Sequence, residues 1–223
     1  KELLRAVDKL DKDLRSKIGE SLRQVQSTRA FEQVTPPSLE ALKKYVAGSL
    51  ALSLDGDFTK GSALLEQAIA LDTGFAMAYR KLAVEYNNRG QADRAMELLE
   101  KGYQHRDRLT DVERYYLLGT YFGSGPHQDE SKAIAAYESA IEIAPGLVGA
   151  MNNVANHYRF QRNWTKAEEM YARAIRSGSP PAVSFSNEAN TLWHLGKPVD
   201  AWRTLASFDS AYPANFGTRN PRA

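Results

Sequence analysis

Residues 155–174 read ANHYRFQRNWTKAEEMYARA and contain two amphipathic segments with a short polar turn between them. In the first segment, the small residue Ala155 is followed three positions later by Tyr158. In the second segment, Ala167 comes four positions before Tyr171. A small residue at this spacing from a bulky one on a helix lets a neighbouring helix approach closely. The stretch therefore predicts a hairpin of two packed α-helices.

The same pattern recurs along the chain at intervals of 34, 38, 34 and 34 residues. The small residue of the second segment is found at Gly61, Ala95, Ala133, Ala167 and Ala201, and the bulky residue at Leu65, Leu99, Tyr137, Tyr171 and Leu205. A further small residue follows at Ala68, Gly102, Ala140 and Ala174, and the last copy has Phe208 there. The small residue of the first segment stands three positions before a bulky one, in the pairs Ser49 and Leu52, Ala83 and Tyr86, Gly119 and Phe122, Ala155 and Tyr158, and Ala189 and Leu192. A period of this length indicates stacked helical repeats.

Turn residues separate the two segments of each repeat. Glycine supplies the left-handed conformation that ends a helix in three of these turns, at Gly56, Gly90 and Gly196. Pro145 closes its hairpin, because proline cannot continue a helix. The single interval of 38 is explained by extra residues in RDRLTDVER, residues 106–114, and in GSGPHQDE, residues 123–130.

These residues together resemble tetratricopeptide repeats, five of them, over about residues 42–213. The resemblance implies an all-α fold, a right-handed superhelical solenoid of about five helical hairpins preceded by a long amphipathic helix. We expect that helix and a linker over residues 1–37, the solenoid over residues 38–213 and a carboxyl-terminal tail over residues 214–223. Ser38 is the expected N-cap of the first repeat helix.

The amino-terminal segment has its own pattern. Residues 2–26 carry apolar side chains three or four positions apart and predict one amphipathic helix, with Leu3, Val7, Leu10, Leu14, Ile18, Leu22 and Val25 on one face. Residues 1–60 also resemble the stretch that joins a small α/β domain to sensor repeats in bacterial membrane-bound serine/threonine kinases and related signalling proteins. The resemblance implies a larger parent protein with a kinase domain and a membrane helix, and it leaves a cytoplasmic and an extracytoplasmic location both open.

Composition excludes several classes of function. Lys and Arg number 29 against 27 Asp and Glu, and they are interspersed, so nucleic acid is not an expected partner. No run of about 18 apolar residues occurs, so we expect no direct insertion of this segment into a membrane. There is no cysteine, and the four histidines do not share a metal-ligand spacing. We therefore expect no metal, no cofactor and no catalytic activity in this segment.

Binding is expected on the first helix of each hairpin, whose exposed face lines the concave side of a repeat superhelix. The residues projected onto that face are Arg80, Val84, Asn87 and Asn88, then Tyr116 and Thr120, then Asn152, Asn153, Asn156 and Arg159, and last Asn187, Asn190 and His194. Asparagine is a poor helix former, so its repeated use on one face needs an explanation. Either the amides pair with the main chain of an extended peptide, or asparagine is common at these positions whatever the ligand. The first reading makes a protein or peptide the partner.

The first repeat differs from the others at the corresponding positions, where it has Val46, Leu50 and Leu54. This apolar strip is expected to be covered by the amino-terminal helix folding back on it. The alternative is that the amino-terminal helix acts between molecules, as an oligomerisation arm that forms a homodimer.

Overall fold

The computed structural model describes residues 38–177 and 182–212, and their regular structure is entirely helical. Ten α-helices follow one another: α1 Leu39–Leu50, α2 Phe58–Leu71, α3 Ala76–Asn88, α4 Ala92–Gln104, α5 Asp111–Ser124, α6 Glu130–Ile143, α7 Val148–Phe160, α8 Trp164–Arg176, α9 Ala182–His194 and α10 Pro198–Ala211. They pack as sequential hairpins, which confirms the all-α repeat fold. The expected helix over residues 2–26 and the tail over residues 214–223 lie outside the described residues.

Polar caps set where several helices begin. Ser38 accepts a hydrogen bond from the Ala41 backbone N–H at 3.2 Å, as the sequence predicts. Thr110 and Glu113 form a capping box at the start of α5, in which each side chain accepts from the other residue's backbone N–H. The first residue of α10 is Pro198. Proline lacks a backbone N–H, but an N–H at this position would have no acceptor within the helix.

The turns within hairpins adopt left-handed backbone conformations. Gly56, Gly90 and Gly196 have φ values of 65°, 74° and 72°, which confirms the role predicted for them. In the fourth hairpin the same conformation falls on Arg162, with φ 59°. A side chain in that conformation costs about 1–2 kcal/mol, so this turn is held by the packing of α7 against α8.

The predicted small residues lie where helices come closest. Ala83, Ala95, Ala133, Ala155, Ala167 and Ala174 are fully buried. A Cβ added at Gly61 would lie 2.4 Å from Cγ of Leu52, which follows α1, so any larger residue at this position would force the Leu52 side chain to move. In the last hairpin, where the pattern has Phe208, the ring packs against Phe185 and Tyr212 with centroids 5.5 and 5.1 Å away.

The extra residues of the third repeat form defined structure. Residues Arg106–Arg108 make a short 3₁₀ helix before the capping box of α5. Arg108 then donates two hydrogen bonds to the carboxylate of Asp72, at 2.9 and 3.1 Å. This pair ties the link to the end of α2, and Asp72 is buried.

The described residues fall into two compact units, one before and one after the boundary between Ala136 and Tyr137. The core of the first unit is built around Leu65, Leu82, Leu99 and Leu117, all buried. Among the described residues, no helix is both long and apolar enough to cross a bilayer.

Candidate functional site

In the first unit, three of the projected residues form one cluster. The guanidinium of Arg80 on α3 lies 3.8 Å from the ring centroid of Tyr116 on α5. Its Nη1 donates to Oγ1 of Thr120 at 3.3 Å, and the Thr120 hydroxyl donates to the carbonyl of Tyr116. Arg80 is only 6% exposed, so an aromatic face and a hydroxyl fix its orientation.

The charge of Arg80 has no carboxylate partner in the part of the chain that the structure describes. Its Nε is buried and makes no hydrogen bond there. The neighbouring Tyr45 has a raised pKa because burial disfavours its anion, although the positive charge of Arg80 acts against this. A buried donor without an acceptor costs about 1–3 kcal/mol. The cluster is therefore suited to receive an oxygen acceptor from a ligand.

The other projected residues of the first unit are more open. Val84 is half-buried, whereas Asn87 and Asn88 are exposed at the end of α3. Their amides are accessible to a partner. Within the described residues, neither amide forms a hydrogen bond with the Arg80 cluster.

In the second unit, asparagine side chains form a network between hairpins. Oδ1 of Asn152 accepts from the Ser184 hydroxyl at 2.9 Å. Oδ1 of Asn156 accepts from the Tyr171 hydroxyl at 2.6 Å and from Nδ2 of Asn187 at 3.3 Å. The amides of Asn152 and Asn156 thus stabilise the packing of α9 on the fourth hairpin, a role that sequence reasoning did not foresee.

Part of this network remains available to a ligand. Nδ2 of Asn153 donates to the Tyr137 hydroxyl at 3.2 Å. Nδ2 of Asn156 and Oδ1 of Asn187 make no hydrogen bond within the described residues, and both side chains are half-buried. This leaves one donor and one acceptor, the two kinds of group that pair with the C=O and N–H of an extended main chain.

The last three projected residues differ in their relation to the asparagine network. Arg159 lies at its margin, beside Tyr171, whereas Asn190 and His194 lie apart from it. Arg159 is half-buried, its Nε makes no hydrogen bond, and its charge opposes the burial that raises the pKa of Tyr171 to about 12. His194 is exposed and stacks on Trp164 with centroids 4.2 Å apart. Asn190 is exposed and lines a separate groove with Trp193.

The structure also reveals a buried acid that the sequence analysis did not identify. Glu188 on α9 is 7% exposed, and burial together with the negative charge of Glu168 raises its pKa to about 7. The signal was present in the sequence, since Glu188 lies four positions after Ser184 and three before Thr191, both buried. A helical projection of the inner face, and not only the outer one, would have identified it.

The apolar strip of the first repeat is present in part. Val46 and Leu50 are 47% and 50% exposed to solvent among the described residues. The side chain of Leu54 and the segment expected to cover the strip lie outside them. No group of three or more acidic or histidine side chains suited to hold a metal ion occurs within residues 38–177 and 182–212.

The chain is similar to known repeat proteins. Residues 147–177, the fourth hairpin, match the family described as Tetratricopeptide repeat. The Antiviral innate immune response effector IFIT1 of Homo sapiens is 28% identical over 152 residues, which cover 59% of this chain and 31% of that protein. The Macaca fascicularis protein of the same name is 28% identical over 159 residues, covering 62% and 33%. The chain thus spans about a third of the length of the curated relatives it matches.

One solved structure supports the fold, and a second is compared with the chain in sequence identity and coverage. A thermophilic TPR protein in Thermus thermophilus is 16% identical, covers 78% of this chain and 92% of its own, and has a TM-score of 0.59. YrrB, a TPR protein with an unusual peptide-binding site, has a TM-score of 0.44 at 19% identity, covering 78% and 87%. The Thermus thermophilus protein is similar to this chain in fold. The family match and the sequential hairpins support a tetratricopeptide repeat domain.

Proposed function

We propose that the chain is a protein-interaction scaffold that binds a polypeptide on the first-helix faces of its hairpins. The observation that carries this is the Arg80 cluster. A buried guanidinium, held by Tyr116 and Thr120 and without a carboxylate partner in the described chain, is costly unless something else supplies the acceptor. A carboxylate or main-chain carbonyl of a bound polypeptide has the required chemistry.

The second unit contributes a different kind of contact. Nδ2 of Asn156 and Oδ1 of Asn187 form a donor and acceptor pair for one peptide unit of an extended ligand. Such pairing gives affinity without a strong preference for side chains. Asn152 and Asn153 act mainly by holding the network in place, and Asn87 and Asn88 offer accessible amides in the first unit.

The test is affinity capture from a lysate, with identification by mass spectrometry, comparing the wild-type chain with Arg80→Met and with Arg203→Met. Arg203 is an exposed arginine paired with Asp200, so its variant controls for loss of charge alone. We expect a polypeptide that the wild-type and Arg203→Met chains capture and the Arg80→Met chain loses. Equal capture by all three would remove the Arg80 cluster from the binding site.

The finer proposal concerns the parent protein. It is that this segment serves as the sensor region of a bacterial signalling protein that carries a serine/threonine kinase domain and a membrane anchor. The proposal rests on the resemblance of residues 1–60 alone, and the repeat segment itself is proposed to be non-catalytic. Sequencing the coding region upstream tests it, because a reading frame without a kinase domain would contradict it.

The second candidate function is that of an oligomerisation arm acting through residues 2–26, whose apolar spacing would suit a helix that packs against another chain. Light scattering over a range of concentrations tests it. We expect the mass of the wild-type chain to rise with concentration and that of a Leu10→Asp, Leu14→Asp double variant to stay at the monomer value. A monomer in both cases would exclude this function.

A further inference from the structure

Arg159 on α7 is a half-buried cation whose hydrogen bonds are incomplete. Its Nε is buried and makes no hydrogen bond with the described residues. None of the ion pairs formed within residues 38–177 and 182–212 involves Arg159. In the first unit, the Nε of Arg80 is in the same condition. A charged donor that is withdrawn from water needs an acceptor in its place, so Arg159 is suited to receive one from a ligand.

The guanidinium of Arg159 lies beside the hydroxyl of Tyr171 on α8. Burial raises the pKa of Tyr171 to about 12, and the charge and N–H groups of Arg159 act against this rise. The same hydroxyl donates to Oδ1 of Asn156 at 2.6 Å. Arg159 and Asn156 stand three positions apart on α7, so they share one face of that helix. The two side chains therefore meet at one hydroxyl.

The hydrogen bonds of Asn156 determine which end of its amide is left for a ligand. Its Oδ1 accepts from Tyr171 and from Nδ2 of Asn187, which uses both lone pairs of that oxygen. Its Nδ2 carries two N–H groups and makes no hydrogen bond in the part of the chain that the structure describes. The groups left over on this face of α7 are therefore donors, and one of them is positively charged. Such a set is complementary to an anion.

The amount of charge distinguishes between kinds of anion. Arg159 supplies one positive charge, and the amide of Asn156 donates hydrogen bonds without adding charge. A phosphate group carries about 1.5–2 negative charges at pH 7, which exceeds the single charge of a guanidinium. A carboxylate carries one negative charge, and its planar shape matches the guanidinium. The site is therefore better suited to a carboxylate.

We propose that Arg159 and Asn156 form a carboxylate-binding site, so that the polypeptide bound by the second unit carries an acidic group at this position. This inference rests on the proposed function and names the chemistry of its ligand. One N–H of the Asn156 amide is enough for a main-chain carbonyl, which leaves the other for the carboxylate. The carboxylate belongs either to an aspartate or glutamate side chain or to a chain terminus.

The test uses blocked amino acids as probes, and NMR of the isotope-labelled full chain measures their binding. N-acetyl-glutamate N-methylamide offers a side-chain carboxylate, and N-acetyl-alanine offers a terminal one. N-acetyl-glutamine N-methylamide is the neutral control, with nearly the same shape as the glutamate probe. The signals followed are the Nε–H of Arg159 and the Nδ2 group of Asn156, each assigned by its loss in a variant of that residue.

We expect a carboxylate probe to shift both signals and to bind about tenfold more tightly than the glutamine probe, because only a carboxylate pairs with the guanidinium charge. Tighter binding of the glutamate probe would assign the site to a side chain, and tighter binding of the alanine probe to a chain terminus. Arg159→Gln should weaken the preferred probe about tenfold, as followed by the Asn156 signal. Arg203→Gln removes an exposed arginine of the same unit and should leave the affinity unchanged.

Equal affinity for the charged and neutral probes, an equal loss in Arg159→Gln and Arg203→Gln, or the absence of any shift would each overturn the proposal. The comparison of probes uses the wild-type chain, so it does not depend on how the variants fold. Polypeptide capture that depends on Arg80, together with equal probe affinities, would leave the proposed function in place and remove only the carboxylate site. Preferred binding of a carboxylate probe without any captured polypeptide would contradict the proposed function instead.

Discussion

Oε2 of Glu188 lies 3.5 Å from Oγ1 of Thr204, and this contact with a hydroxyl is the hydrogen bond that joins the buried acid to α10. Glu168 and Arg176 are the charged groups of α8 that act on it, the first raising and the second lowering its pKa. Burial is the largest cause of the shift, which takes the pKa from 4.5 to about 7.

Stability is therefore expected to fall as pH rises across this range. The folded-state pKa lies above the unfolded one, so the stabilisation is complete below about pH 4.5 and is lost as pH rises through about 7. At 1.36 kcal/mol per pKa unit, the change amounts to about 3 kcal/mol. Urea unfolding at pH 5 and pH 8 measures it.

The variant Glu188→Gln should abolish most of this difference and be more stable than the wild type at pH 8. Glu169→Gln, at an exposed position of the neighbouring helix, should leave the difference unchanged. A Glu188→Gln chain with the pH dependence of the wild type would assign that dependence to another group.

Arg80→Met should change the free energy of unfolding by less than about 1 kcal/mol, because removing a buried charge without a carboxylate partner offsets the lost contacts with Tyr116 and Thr120. Leu82→Ala, two positions along the same helix, removes a core side chain and should cost about 3 kcal/mol. Chemical denaturation of both variants measures this. Equal losses would mean that Arg80 has a structural role and was not retained for a ligand.

Asn156→Ala should destabilise the protein by about 2 kcal/mol, because it leaves the hydroxyl of the buried Tyr171 without its acceptor and removes the bond from Asn187. Asn88→Ala, at an exposed helix end, is the matched control and should have an effect below about 0.5 kcal/mol. Thermal and urea unfolding distinguish the two. If both variants unfold like the wild type, the hydrogen bonds of Asn156 contribute nothing to the free energy of unfolding.

Arg108→Ala should cost about 2 kcal/mol, since it leaves the buried carboxylate of Asp72 without its bidentate partner. The pair formed by Arg94 and Glu66 is exposed, and Arg94→Ala should cost less than about 1 kcal/mol. Raising the salt concentration should weaken the exposed pair more than the partly buried one. A smaller loss for Arg108→Ala than for Arg94→Ala would contradict this ranking.

The repeat period, the small residues and the turn glycines determined the hairpins from sequence alone. These features act over three or four positions, and their effect depends only on local backbone geometry and on how closely two helices can approach. The positive φ of Gly56 and the close packing at Gly61 are examples. The Ser38 cap and the longer third repeat followed from the same local rules.

The tertiary structure decided what the polar side chains do. Sequence projection placed Arg80 and Asn156 on first-helix faces, but their partners lie 40 residues away in Thr120 and 31 away in Asn187. It also left Glu188 unnoticed on an inner face. A helical period fixes the direction of a side chain from its own helix, whereas its burial, hydrogen bonds and pKa depend on which atoms of other hairpins surround it.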